Sequence, residues 1–295
     1  MTLPALPRPF PRLFQIGVKP VGPEAWIDAD KQLAAYLEEK RRLFASQHEA
    51  VFAATPGTET AQAEVRDRLA RHLPDRFPDI YRREAGAMLI LPAQLSVPLD
   101  APDVPPLQTA ALLVQEDLVL MRRGADGWYL AAGALCFPSS WRLADKAGRR
   151  IDEVHAPVPG FGTGTRGAEL IGRMFDSMQP GNWALRWNWS LYGDDTLHHP
   201  HDSPPRRFGA GDRADPVFLR LERQTLTKLP ESGDILFTVR IYVDPLPALA
   251  RQPDAREVAA ALYEQLDALD EAQLAYKGIT LEIGRVLRRL KEIAG

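Results

Sequence analysis

The chain has 295 residues, 45% of them apolar, 25% charged and 8% aromatic, with a net charge of −3. That composition excludes disordered and fibrous proteins, and the length allows a core that needs no disulfide or metal staple. One cysteine, Cys136, rules out a disulfide framework and points to a reducing cytoplasm; the lack of a basic excess argues against a nucleic-acid partner. The one departure is proline, with 26 residues where a usual frequency of ~5% gives about 15.

The first stretch, MTLPALPRPFPRLF, has neither a basic start nor an apolar core, so it reads as a proline-rich arm rather than a signal peptide or membrane anchor. No later run approaches the ~18 unbroken apolar residues of a membrane-spanning helix. Gly22-Pro23 opens a helical stretch over 24–52, whose buried stripe is Trp26, Leu33, Leu37, Leu43 and Phe44. A second helix is expected over 60–73, ending before Pro74 because the residue preceding proline is pushed out of the helical region. Prolines 92, 98, 102, 105 and 106 then predict an extended connector.

From Thr109 the spacing changes to short β-prone runs over 109–114, 117–122 and 128–137, which read as an antiparallel meander. Helical spacing returns over 142–155 and 166–178, the latter with Leu170, Ile171, Met174, Phe175 and Met178 on one side. Strands are expected over 183–192, 217–229 and 234–243. The last two are joined by Pro230-Glu231-Ser232-Gly233, a type I turn signal, and so form a long hairpin. Asp254 and Glu257 form a D-x-x-E capping box that starts a C-terminal helical region with a break at Gly278.

This order predicts an α+β protein: a PAS-like antiparallel sheet with interposed helices, plus N- and C-terminal helical extensions. The chain divides into an arm, helices and connector over 1–107, a PAS-like core over 108–250 and a helical region over 251–295, within one compact domain.

Several residues are candidates for chemistry. His198, His199 and His201 form an H-H-P-H cluster that invites a metal, but its spacing matches none of the usual metal motifs and its polar surroundings read as a surface loop. His48 and His72 sit in helices without identifiable partners. His155 ends a helix in I-D-E-V-H-A-P-V-P-G-F, where two prolines force an extended path. It reads either as a ligand presented to a cavity between helix and sheet, or as a helix-end histidine favoured by the dipole. The glycines of 160–167 precede a helix but follow Pro-Val-Pro rather than a strand, so they read as a flexible or tightly turning helix start whose amides suit a carboxylate, not as a nucleotide cradle. Trp183, Trp187 and Trp189 share one strand face, as core packing or as a wall for a flat cofactor.

In the hairpin, a turn centred on Glu231 and Ser232 pairs positions whose numbers sum to 463. Arg223 then faces Arg240, Leu221 faces Tyr242 and Thr225 faces Thr238. Like charges directly opposite one another are destabilising, so this arrangement calls for an anion or acidic neighbours, unless both side chains splay into solvent.

Two blocks carry a resemblance. CFPSSWRLADKAGRRIDEVHAPVPGF, residues 136–161, and LRLERQTLTKLPESGDILFTVRIYVDPL, residues 219–246, resemble the α-subunit family of heme-dependent oxidative N-demethylase, a large bacterial group. The resemblance implies a PAS-like domain that holds heme b between sheet and helical segment, with His155, in H-x-P-V-P, as axial metal ligand. It also implies oxidation of a small secondary amine, dimethylamine, by dioxygen, releasing formaldehyde and methylamine. Electrons would come from a separate NADPH-dependent flavin and iron–sulfur reductase, since this chain has no flavin or nucleotide fingerprint and too few cysteines for a cluster. Arg223 and Arg240 are then candidates to bind the two heme propionates. The alternative is a PAS-type gas or redox sensor that binds heme without turnover.

Overall fold

The computed structural model describes residues 10–200, 208–211 and 214–295. The start of the proline-rich arm, residues 1–9, lies outside them, as does His201. No helix among the described residues is long and apolar enough to cross a membrane.

The chain is α+β. Strand β1 (Lys19–Val21) is followed by helices α1 (Leu33–Ser46) and α2 (His48–Val51), β2 (Phe52–Ala54) and α3 (Glu59–Arg76). Next come β3 (Tyr81–Glu84), β4 (Ala87–Ile90), β5 (Leu95–Pro98) and α4 (Pro106–Ala111). The central region runs β6 (Asp117–Gly124), β7 (Gly127–Ala134), α5 (Ile151–Val154), α6 (Arg166–Ser177), β8 (Trp183–Tyr192), β9 (Phe218–Lys228) and β10 (Ile235–Pro245). Helices α7 (Ala255–Asp267), α8 (Glu271–Lys277) and α9 (Ile283–Ala294) close the chain. Seven strands form one antiparallel sheet in the order β1-β8-β9-β10-β6-β7-β2, and β3-β4-β5 form a separate small sheet. Within the large sheet, the five strands of the central region run β7-β6-β10-β9-β8, with α5 and α6 inserted in sequence between β7 and β8.

The β9–β10 hairpin has the expected register. Arg223 is opposite Arg240, Leu221 opposite Tyr242 and Thr225 opposite Thr238. Gly233 takes φ +75°, a left-handed value that suits glycine at the turn. Glu64 of α3 holds that turn from outside, its two carboxylate oxygens accepting from the amides of Glu231 (3.0 Å) and Ser232 (2.9 Å).

Several expectations need correction. The first helix begins at Leu33 rather than near 24, because the carbonyls of Ala25, Trp26 and Asp28 accept hydrogen bonds from arginines of the sheet. The expected stripe is nevertheless buried, Trp26 included. Helix α3 runs past Pro74 to Arg76, since one lost bond in the last turn is offset by burial of Leu69, Ala70 and Leu73. The expected connector contains the three-stranded sheet, with its prolines at a 3-10 turn, a strand end and the start of α4. Residues 109–114 are the end of a helix and a turn rather than a strand: Pro106 occupies the first turn of α4, which ends at Ala111, and a short buried apolar run fits either element. The expected helix over 142–155 is also interrupted. Gly148, at φ +77°, turns the chain so that 148–149 bond to the backbone of Leu130 at the β7 edge, leaving a 3-10 turn over Leu143–Asp145 and the four residues of α5.

At the C-terminus, Asp254 stands at the N-cap of α7 without the side-chain bond of a capping box. The full box is at Asp270 and Gln273 of α8, and Gly278 ends that helix at φ +65°.

A buried charge pair ties α1 to the sheet. Lys40 Nζ lies 3.9 Å from Asp117 Oδ1, and both side chains are fully inaccessible. The amine donates to the carbonyls of Ala111, Val114 and Glu116, while Asp117 accepts from the amides of Cys136 (2.9 Å) and Phe137 (2.8 Å). Removing one member of such a pair leaves an uncompensated buried charge. Lys40→Met is therefore expected to lower unfolding stability by about 3–5 kcal/mol, read as a fall in the urea midpoint with little change in slope.

Candidate functional site

Alternation along the central strands sorts the polar residues onto two faces. Register places Arg186 opposite Gln224, Asn188 opposite Glu222 and Ser190 opposite Arg220, so all six side chains share one face of the sheet. Arg223 and Arg240, one residue out of phase, project from the other.

His155 belongs to the first face. It caps α5, its amide bonding to the Ile151 carbonyl at 3.0 Å and its carbonyl accepting from Val158 at 2.8 Å across the Ala156-Pro157 turn. Lys146 donates to the carbonyl of Val154 just before it. The ring is half-buried, and its Nδ1 is fully buried with no hydrogen-bond partner among the described residues. Burial, reinforced by the positive charges of Arg186 and Lys146, pushes the imidazole down to about 4, so it is neutral at pH 7 and keeps a lone pair for a ligand.

Around it the face is apolar toward the β6–β7 side and polar toward β8. Val119, Met121 and Leu226 form a cluster with Ile171 and Phe175 of α6, and Val154 and Phe161 pack against it. On the polar side, Glu222 Oε1 accepts from Ser139 Oγ (2.5 Å), and Oε2 accepts from Gln224 Nε2 (2.7 Å) and Asn188 Nδ2 (3.2 Å). These bonds and the nearby cations Arg220 and Lys277 hold the Glu222 carboxyl below its usual range despite burial. Gln224 Oε1 and Arg186 Nε are, like His155 Nδ1, buried without a hydrogen-bond partner among the described residues. Three orphaned polar atoms thus lie on this side of the sheet, each costing about 1–3 kcal/mol if left unsatisfied; others, among them Trp26 Nε1, His72 Nε2, Glu116 Oε2 and His198 Nε2, lie elsewhere among the described residues. The imidazole suits a metal and Arg186 Nε a carboxylate, and these two fit heme; the acceptor of Gln224 calls for a donor that ionised propionates do not carry.

The structure brings Arg223 and Arg240 together with each other, and not with His155. Arg223 donates to the carbonyls of Ala25 and Trp26. Arg240 donates to the carbonyls of Asp28 and Ile241 and to Asp30 Oδ2 (2.9 Å), between the rings of Tyr36 and Tyr242. The like charges are accommodated by carbonyls, one carboxylate and two aromatic faces from the chain itself.

The other candidates resolve as packing. Trp183 lies against Trp26, Trp187 stacks on Tyr242, and Trp189 packs on Phe10 and donates to the Pro11 carbonyl at 3.0 Å. His48 bonds to Gln108 (2.8 Å), and His72 lies against Trp26. His198 Nδ1 bonds to the Cys136 carbonyl (2.8 Å), while His199 bonds to Asp194 (3.0 Å) and packs on Tyr192. Among the described residues no group of three or more His, Cys, Asp or Glu side chains is arranged to hold a metal ion. A surface cleft of about 410 Å³ beside the β6–β7 turn is lined by charges already paired, Arg122 with Asp234 and Arg123 with Asp176.

Sequence reading missed Arg186, Asn188, Glu222 and Gln224 as one group. Their signal was present: polar residues at alternate positions in strands otherwise rich in Leu and Trp, brought together once β8 is paired with β9.

The glycine-rich loop after His155 turns tightly. Thr165 caps α6, accepting from Ala168 N at 3.3 Å, and a side chain at Gly167 would collide with the Gly160 carbonyl. Asp152 holds the loop to α5, accepting from Thr163 Oγ1 (2.8 Å) while pairing with Arg150, which keeps its carboxyl at about 2. A depressed carboxyl contributes above its unfolded value near 4 and is lost only as pH falls through the folded value, so this tether is complete at neutral pH. Asp152→Asn should increase proteolysis within 156–165 at pH 7, while the wild-type loop keeps its protection until the pH falls toward 2.

The profile of the family described as Haem-dependent oxidative N-demethylase, alpha subunit-like matches residues 17–287. The match spans the sheet, helices α1 to α8 with the start of α9, His155 and the two sequence blocks noted above, and the chain belongs to this family.

Proposed function

We propose that this chain binds heme b at His155 and oxidises a small methylated secondary amine such as dimethylamine, within an assembly that includes a reductase. In the overall reaction one amine, one dioxygen, two electrons and two protons give methylamine, formaldehyde and water. The electrons come from a separate NADPH-dependent flavin and iron–sulfur protein, in the cytoplasm. The observation that carries this reading is the neutral, half-buried His155, whose buried Nδ1 has no hydrogen-bond partner among the described residues, on the face where polar atoms of two sheet strands also stand unsatisfied. The strand order β7-β6-β10-β9-β8, with α5 and α6 interposed, supports a PAS-like heme domain.

When bound, heme supplies the dioxygen and one-electron chemistry. The chain's own residues do the rest. His155, whose backbone is held by the Lys146–Val154 contact and the turn at Pro157, offers an imidazole nitrogen to the group. Val119, Met121, Leu226 and Phe175 exclude water from one side. Gln224 is held by its bond to Glu222, and its carbonyl oxygen, buried without a partner among the described residues, suits the N–H of a secondary amine.

The same topology favours a second reading, a gas or redox sensor that binds heme and does not turn over. Purified wild-type protein is expected to show a Soret band, and His155→Ala to lose that band or its axial-ligand signature while the far-UV spectrum is unchanged. With a chemical reductant and dioxygen, wild type should release formaldehyde from dimethylamine. An unchanged spectrum in His155→Ala overturns the ligand assignment; heme binding without formaldehyde from any methylated amine decides for the sensor.

A further inference from the structure

The central sheet carries a cation on the His155 face whose bonding is incomplete. Arg186 donates through Nη2 to the Gln15 carbonyl at 3.1 Å, but its Nε is buried without a partner among the described residues. Among the same residues no carboxylate lies within 4.0 Å of it. The acid nearest in register, Glu222, has both oxygens engaged by Ser139, Asn188 and Gln224. Arg186 is also close enough to His155 for its charge to act on that ring. Arg186 is half-buried, with Nε inside and Nη2 toward the surface. The charge of Glu222 acts on it without a hydrogen bond, so its inner donor still lacks an acceptor among the described residues, and a carboxylate would supply one.

We propose that Arg186, rather than Arg223 or Arg240, is the residue that pairs with a carboxylate of the heme, one of its two propionates. The proposal rests on the reading of His155 as the heme site. Guanidinium suits this role because it is always charged, and its planar fork presents two parallel N–H donors to a carboxylate. Arg223 and Arg240 are on the opposite face, with their donors directed to residues 25, 26, 28, 30 and 241.

The test compares protoheme with its dimethyl ester, which differs only in lacking the two carboxylate charges. Apoprotein is titrated with each and followed by its Soret band, in wild type, Arg186→Gln and Arg186→Lys. Wild type should bind protoheme more tightly than the ester. In Arg186→Gln protoheme affinity should fall about ten- to a hundredfold, to the level of the ester, whose own binding is little changed. Arg186→Lys, which keeps the charge without the fork, should retain part of the preference. Ester binding reports on the integrity of each variant, so a folding failure shows as loss of both ligands. Wild type that binds the two porphyrins equally, with its axial signature intact, overturns the Arg186 pairing alone and needs no variant. An Arg186→Gln protein that keeps the preference for protoheme overturns it too. Wild type that takes up neither porphyrin overturns the heme reading itself, and the Arg186 pairing with it.

Discussion

The register of the β9–β10 hairpin is the constraint on which the rest of this molecule depends. Strand side chains alternate, so the pairing of Arg223 with Arg240 sends those two arginines to one face and Arg220, Glu222 and Gln224 to the other. A slip of one residue in either strand would exchange these sets and bury each against the wrong surroundings. Three features hold the register: the left-handed Gly233, the carboxylate of Glu64 on the turn amides, and the Thr225–Thr238 hydroxyl contact at 2.5 Å. The pairing of β8 with β9 then brings Arg186 beside Gln224, where its charge acts on His155.

The two faces treat charge differently. On one, Arg223 and Arg240 stitch the 25–30 segment to the sheet, and Tyr36 and Tyr242 flank the second guanidinium. Lys40 does comparable work beside β6 with three carbonyls and Asp117. These are costly groups to bury, and they are tolerated because nearly every donor has an acceptor. On the His155 face the same class of group is left incomplete. The contrast concerns the arginines alone, since Trp26 Nε1 and Glu116 Oε2 are also without a hydrogen-bond partner among the described residues. It distinguishes Arg223 and Arg240, whose donors reach acceptors of the chain, from Arg186, whose Nε does not.

The parts of the fold legible in the sequence were those governed by local pattern: the hairpin, the tryptophan strand β8, the β6–β7 pair and the amphipathic α6. Tertiary contacts decided the rest. Pro74 stays inside a helix because Leu69 and Leu73 are anchored, and 109–111 is helical because it follows two prolines that suit a helix start. The candidate site was legible in part. His155 was singled out by its setting between a helix end and two prolines, and the arginine pair by a correct register, but the register alone does not say what each arginine meets. That depended on the 25–30 segment, some 200 residues away in sequence. Arg186 was passed over because its significance appears only when β8 is laid against β9.

The outer strands of the sheet have a further consequence. Both are three residues long and come from the first fifty-four residues: β1, with Lys19 and Pro20, lies along β8, and β2 lies along β7. A proline and a lysine on a short border strand are poor templates for another chain, whereas the backbones of β7 and β8 behind them are long. Cutting out the five central strands, as though they were a free-standing sensor module, would bare both backbones and invite intermolecular β-pairing. The N-terminal segment therefore serves as a guard against self-association as well as a covering for the core, which is a physical reason for such a sheet to travel with its surroundings.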